Sequence, residues 1–156
     1  MFHKILIPLD GSQAAERALD YLGNLHAEEI LLASLYSLPL EGSPDASPNR
    51  TESLNYLQSV REKLASVLTV NVVCGDGEPA GAILEIAESA GCDLILMTSH
   101  GRTGFKRFLL GSVAEKVARY ATCPVLLVGR QVAGSPQNEV VQTALDTEKY
   151  FAQGCS

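Results

Sequence analysis

Short, nearly continuous runs of Ile, Leu and Val recur along the chain, and between them apolar residues return at every third or fourth position. The runs are Lys4 to Leu9, Glu29 to Leu35, Thr69 to Cys74, Asp93 to Met97 and Pro124 to Val128. They show little polar alternation, which is the pattern of strands buried on both faces of a parallel sheet. Such a sheet needs helices on both sides. The intervening stretches supply them, with Ala15, Ala18, Leu19, Leu22 and Leu25 in the first, Leu54, Leu57, Val60, Leu64 and Val67 in the second, Ala80, Ile83, Leu84 and Ala87 in the third, and Val113, Val117 and Tyr120 in the fourth. Each series lines one face of a helix. Strict alternation predicts an α/β fold: an open, doubly wound parallel sheet with right-handed crossovers and helices on both faces. The 156 residues suffice for one such domain and are too few for a closed β/α barrel.

Two stretches break the rhythm. Leu38 to Thr51 is rich in Pro, Ser and Asp and reads as a loop between the second strand and the second helix. Gln131 to Asn138 reads as a linker, which divides a domain over residues 1–130 from a tail over 131–156. In that tail Val141, Leu145 and the Tyr150-Phe151 pair predict one face of a short terminal helix.

Composition narrows the function. Twelve Lys and Arg against eighteen Asp and Glu leave a net charge of −6, which repels nucleic-acid backbones. The one basic cluster, Arg102, Lys106 and Arg107, is too small for a duplex footprint, so no nucleic-acid partner is expected. No apolar run approaches the ~18 residues of a membrane span. Met1-Phe2-His3-Lys4 leads directly into a strand without the marks of a secretory leader, so the chain reads as cytoplasmic and free of the membrane. Cys74, Cys92, Cys123 and Cys155 lack C-x-x-C or zinc-ligand spacing, and the first three read as buried thiols.

Ligands of such sheets bind outside the carboxyl ends of the strands, where the strand order reverses. After the first strand comes Leu9-Asp10-Gly11-Ser12; after the fourth comes a Gly-rich connection from Thr98 to Gly104, continuing through Leu110 to Gly111-Ser112 at the start of the fourth helix. Glycines let backbone N–H groups approach phosphate oxygens, and a helix N-terminus adds about half a positive charge, so the two together describe an anion cradle. Arg102, Lys106 and Arg107 add positive potential there, or form an ordinary solvated face. At least one of Ser12 and Ser112 is expected to cap the helix it opens. Asp10 is either a strand-end carboxylate that stabilises the helix N-terminus or a contact to ribose, base or a bridging metal.

Familiar signatures fail. There is no Walker P-loop, and Gly75 to Gly81 does not fit the dinucleotide fingerprint; it reads as a turn into a helix begun by Pro79. G-x-S-x-G is absent, and Ser99 and His100 are adjacent, which is unsuited to a hydrolytic triad. No residue stands out as a catalytic base.

Six segments, in order, resemble the universal stress protein family: Ile5-Leu6-Ile7-Pro8-Leu9-Asp10-Gly11-Ser12, Gly77-Glu78-Pro79-Ala80, Cys92 to Met97, Ser99-His100-Gly101-Arg102-Thr103-Gly104, Leu110 to Val117, and Cys123 to Val128. The resemblance covers about residues 2 to 130. It implies a Rossmann-like sheet of five parallel strands in the order 3-2-1-4-5, with the Asp10 and Gly101 loops side by side. ATP-binding members carry Gly-x2-Gly-x9-Gly-[Ser/Thr]; Gly101, Gly111 and Ser112 match, and Thr98 stands where the first glycine would be. By this resemblance, backbone near Leu9, Asp10 and Leu35 faces adenine, and Met97 and Thr98 face the sugar. Ser99, Gly101, Gly111, Ser112 and Val113 face the phosphates, with Pro8, His100, Arg102 and Gly104 completing the candidate set. The implied cofactor is ATP with Mg2+ or Mn2+.

Three functions follow as expectations. The first is an ATP-binding stress-response regulator or signalling module, with at most slow hydrolysis or autophosphorylation and an unidentified protein partner. The second is a dimeric interaction module of the same family that binds no nucleotide. The third is a nucleotide hydrolase using Asp10, His100 and a metal. A homodimer through residues 124–128 is expected because that strand lies at the sheet edge and invites pairing, with Val141, Leu145 and Phe151 of the tail reaching onto the partner.

Overall fold

The computed structural model describes residues 1–36, 49–64, 69–99 and 110–129 together with Val140–Val141. Five parallel strands form the sheet in the expected order: β3 (Thr69–Asp76), β2 (Ala27–Tyr36), β1 (Phe2–Leu9), β4 (Leu94–Thr98) and β5 (Val125–Val128). A sixth, two-residue strand, β6 (Val140–Val141), adds antiparallel to the outer edge of β5, with Leu127 opposite Val141 and Val128 opposite Val140. Val141 therefore belongs to a strand, which corrects the expected terminal helix face. Leu145, Tyr150 and Phe151 lie outside the described residues, as do Cys155, the Gln131 to Asn138 linker and residues 37–48 of the expected loop.

The apolar runs are continuous because alternate residues serve opposite layers. Ile5, Ile7, Leu9, Ile30, Leu32, Leu94 and Leu96 pack on one face, under the first and second helices. Leu6, Leu31, Ala33, Ile95, Met97, Val125 and Leu127 pack on the other, under α3 (Pro79–Ser89) and α4 (Ser112–Tyr120). Each layer is closed by the buried stripe of its helices. Among the described residues no helix is long and apolar enough to cross a membrane.

The helices depart from the sequence reading in informative ways. The first is a single α turn, α1 (Gln13–Glu16), continued by a 3-10 helix over Arg17–Asn24. The second, α2 (Arg50–Leu64), begins inside the stretch read as loop, because Asn49 and Glu52 form a capping box. The Asn49 side chain accepts from Glu52 N at 3.0 Å and the Glu52 carboxylate accepts from Asn49 N at 3.0 Å. The buried stripe of α2 runs through Ser53, Leu57 and Val60, so the expected Leu57 and Val60 are in the core and the expected Leu54 is half-buried. Ser53 is 2% exposed, and among the described residues its hydroxyl has no hydrogen-bond partner.

The turn into α3 follows expectation: Pro79 opens the helix and Glu78 accepts from Gly81 N at 2.9 Å. Gly91, at φ +64, ends it in the left-handed conformation that a side chain would oppose. On α4, Ala114 and Val117 are buried and Val113 is half-buried, whereas Tyr120 is 64% exposed and not on the core face.

Candidate functional site

β1 pairs with β2 along nearly its whole length, to Leu9 opposite Ser34, but with β4 only at Ile5–Leu94 and Leu6–Ile95. Beyond Leu6 and Ile95 no register pair joins β1 to β4. Pro8 sits past that point, where its missing N–H costs no ladder bond on the β4 side. A crevice thus opens at the carboxyl end of the sheet, flanked by Pro8, Leu9 and Asp10 on one side and Met97, Thr98 and Ser99 on the other. It coincides with the reversal of strand order between β1 and β4.

The β1 side ends in a tight turn. Gly11 has φ +80, and its site has no heavy atom within 4 Å of an ideal Cβ, so backbone conformation rather than crowding calls for glycine. Asp10 Oδ1 accepts from Ser12 N at 2.9 Å and from Ser12 Oγ at 2.5 Å. Ser12 Oγ in turn accepts from Ala15 N at 3.1 Å, which makes Ser12 the cap of α1. Asp10 thereby holds the residue that caps α1. From α2, Tyr56 donates its hydroxyl to Glu16 Oε1 at 3.0 Å, a contact between residues 40 apart in sequence.

The β4 side is stitched by backbone. Ser99 N donates to Val128 O at 2.9 Å, and Gly111 N donates to Ser99 O at 2.9 Å. One residue therefore joins the end of β4 to both the end of β5 and the start of α4. Gly111 is the cap residue of α4 in extended conformation, and its carbonyl accepts from Glu115 N at 2.8 Å. Ser112 is the first residue of the helix and does not cap it, so of the two candidate serines only Ser12 caps. The first-turn N–H groups of α4, at Ser112, Val113 and Ala114, are ones a helix leaves unpaired within its own ladder. His100, Gly101, Arg102 and Gly104 lie outside the described residues, with Lys106 and Arg107.

Leu35, at the end of β2, is half-buried and covers Gly75, where an added Cβ would come within 3.0 Å of Leu35 Cδ2 and 3.1 Å of Ile86 Cδ1. Leu35 and Met97 belong to the α3–α4 face and Leu9 to the opposite one, so at Leu9 only backbone can line the crevice. No cluster of three or more His, Cys, Asp or Glu suited to a metal occurs among the described residues. Burial pushes the Cys92 thiol up to about 11 and raises those of Cys74 and Cys123, so all three are protonated at neutral pH. Of these Cys92 is buried, as expected; Cys74 and Cys123 are half-buried.

Sequence reasoning misses Tyr56, Glu16 and Ser53. Ser53 lies four residues before Leu57 on the same helix face, a place that an apolar pattern passes over because the residue is polar.

Comparison with known proteins agrees with the fold. The model of the universal stress protein family matches residues 1–129. Universal stress protein YxiE of Bacillus subtilis is 33% identical over 147 residues, covering 82% of this chain and 99% of that protein. Universal stress protein MJ0577 of Methanocaldococcus jannaschii is 34% identical over 157 residues, covering 84% of this chain and 97% of that protein. Its solved structure superposes with a TM-score of 0.71 at 31% identity, over 85% of this chain and 99% of that one. A universal stress protein solved in complex with cAMP shares the fold at 24% identity, with a TM-score of 0.61 over 81% of this chain and 97% of that one.

Proposed function

The chain belongs to the universal stress protein family, and from that premise we propose that it binds ATP in the β1–β4 crevice and acts as a nucleotide-dependent regulator or signalling module in the stress response. The observation that carries this reading is the Ser99–Gly111 backbone bond, which draws the two ends of the Gly-rich connection together beside the N-terminus of α4. Phosphate oxygens then meet the N–H groups of Ser112 and Val113, and the family motif adds Gly101 and Arg102 to the phosphate set. Backbone at Leu9 and Asp10, with Leu35 and Met97, borders the adenosine end. A divalent cation, Mg2+ or Mn2+, would accompany the triphosphate, with Asp10 the carboxylate of the β1 turn. Asp10 is engaged by Ser12, and hydrolysis or autophosphorylation is at most slow. The cAMP complex of a relative with the same fold is consistent with an adenine-nucleotide ligand.

Native mass spectrometry of the purified protein should find copurifying ATP, and titration calorimetry with ATP and Mg2+ should show saturable binding. An absence of both, even at millimolar nucleotide, leaves the non-nucleotide interaction module as the better reading.

In the same reading the protein pairs with a second copy through β5. An edge strand of Val-Leu-Leu-Val offers N–H and C=O groups for strand addition, and two-fold antiparallel pairing closes on itself. The chain's own β6 lies on that edge at Leu127 and Val128 and competes for the same groups. Truncation after Arg130 removes the competitor and is expected to strengthen the dimer, measured by sedimentation velocity at tens of micromolar. Monomers in both proteins would end the edge-pairing argument, and a dimer that dissociates on truncation would make the tail part of the interface.

A further inference from the structure

The Asp10-Gly11-Ser12 turn is held in shape by its own hydrogen bonds, but shape alone does not hold it in place. It leads into a single α turn followed by eight residues of 3-10 helix, an element with poorer hydrogen-bond geometry and less stiffness than an α-helix. Small side chains anchor its start: Ala15 and Ala18 are buried, and the first large fully committed anchor is Leu22, well down the element. Leu19 and Tyr21 pack only partly against the core.

From a firm element, α2, the Tyr56 hydroxyl reaches this start through its hydrogen bond to Glu16, at 3.0 Å. Tyr56 belongs to a 15-residue α-helix whose Leu57 and Val60 are fixed in the core and whose own start is locked by the Asn49–Glu52 box. Both Tyr56 and Glu16 are half-buried, so the link is partly shielded from water. We infer that Tyr56 and Glu16 form the joint through which α2 positions the Asp10-Gly11-Ser12 turn, and that Tyr56 is thereby a positioning residue for nucleotide bound at that turn. The inference rests on the nucleotide reading for its second half only.

The electrostatic surroundings agree. Burial raises the Tyr56 hydroxyl pKa, and the carboxylates of Glu16 and Asp10 raise it further, while the Gly11 backbone N–H acts in the opposite direction. The phenol is therefore a neutral donor throughout the physiological range, seated beside three residues of the turn and its helix. Removing the hydroxyl leaves the ring to pack and takes away the bond to Glu16 together with the approach of the Gly11 backbone.

Tyr56→Phe tests this. In the nucleotide-free protein, amide exchange at Gly11, Ser12 and Ala15 should accelerate by about ten-fold, the scale of one hydrogen bond to a charged acceptor, while exchange in β2 and β3 stays unchanged. ATP affinity should fall by a similar factor. Glu16→Ala should reproduce both effects, the double variant should be no worse than either single one, and Glu16→Gln, whose amide oxygen still accepts, should restore both. Unchanged exchange at Gly11 and Ser12 in Tyr56→Phe overturns the joint. Faster exchange with unaltered ATP affinity overturns the positioning role. If the wild-type protein binds no ATP, the nucleotide reading and the positioning role fall together, and the exchange arm alone still decides the joint.

Discussion

Gly111→Asp is expected to abolish ATP binding while leaving the protein folded. Gly111 has φ −63 and ψ 148, an extended conformation open to any residue, and it is the cap of α4, a position that Asp favours. Its N–H and C=O remain free to keep their bonds to Ser99 and Glu115. Stability should therefore hold or rise by up to about 1 kcal/mol. Binding has the opposite fate, because the new carboxylate stands where phosphate oxygens approach the helix N-terminus. Two like charges about 4 Å apart at an effective dielectric near 20 repel by about 4 kcal/mol, on the order of a thousand-fold in affinity. Thermal melts and titration calorimetry on the same preparation separate the two effects. An intact melt with unaltered affinity would remove the phosphates from this helix end; Gly101→Asp applies the same test to the other glycine of the motif.

The sheet is legible in the sequence because burial on both faces leaves a direct trace, runs such as Ile5-Leu6-Ile7 and Leu94-Ile95-Leu96 without polar interruption. The parallel order 3-2-1-4-5 comes instead from the family resemblance, since periodicity does not say which strands are neighbours. Helical spacing is a weaker guide. Ala15 to Leu25 has helical periodicity yet forms mostly 3-10 helix, with Ala15, Ala18 and Leu22 its buried residues. For α2 the expected Leu57 and Val60 are buried, whereas Leu54 is half-buried and Ser53 takes the buried place in the first turn. At Tyr120 the three-residue spacing from Val117 continues past the part of α4 that touches the sheet.

The site divides along the same line. The Asp10-Gly11-Ser12 turn is visible locally, since Gly and a capping Ser at a strand end have a specific conformational meaning. The Tyr56–Glu16 bond is invisible, because nothing in either local pattern announces a partner 40 residues away. The β6 pairing is hidden for a further reason: a two-residue strand has too little periodicity to register, and Val141 fits a helical spacing with Leu145 equally well.

Asp93→Ala is expected to cost about 2 to 3 kcal/mol at neutral pH, a sizeable share of the ~5 to 15 kcal/mol that holds a domain together. Asp93 precedes β4, and its carboxylate accepts from His3 N at 2.7 Å and from Lys4 N at 2.9 Å, while its own N–H donates to Lys4 O at 3.0 Å. These bonds clamp the start of β4 to the start of β1, next to the two register pairs that join the strands. Alanine keeps the backbone bond and leaves two N–H groups without their charged acceptor. Desolvation pushes the Asp93 carboxyl up, but the His3 and Lys4 N–H groups outweigh it and hold the group below the ordinary aspartate range. A depressed folded pKa means that the carboxylate's contribution is complete above the unfolded value, about 4, and fades as the pH falls through the folded value. The penalty of Asp93→Ala should accordingly be large at pH 7 and shrink below about pH 4, as the wild-type clamp takes up its proton. Asp93→Asn, which keeps one good acceptor, should fall between the two at pH 7. Urea melts of the three proteins at neutral and acidic pH measure this directly. A penalty of the same size at both would mean that the ionised clamp is not what joins β4 to β1, and that strand packing around Ile5 and Leu94 holds the centre of the sheet unaided.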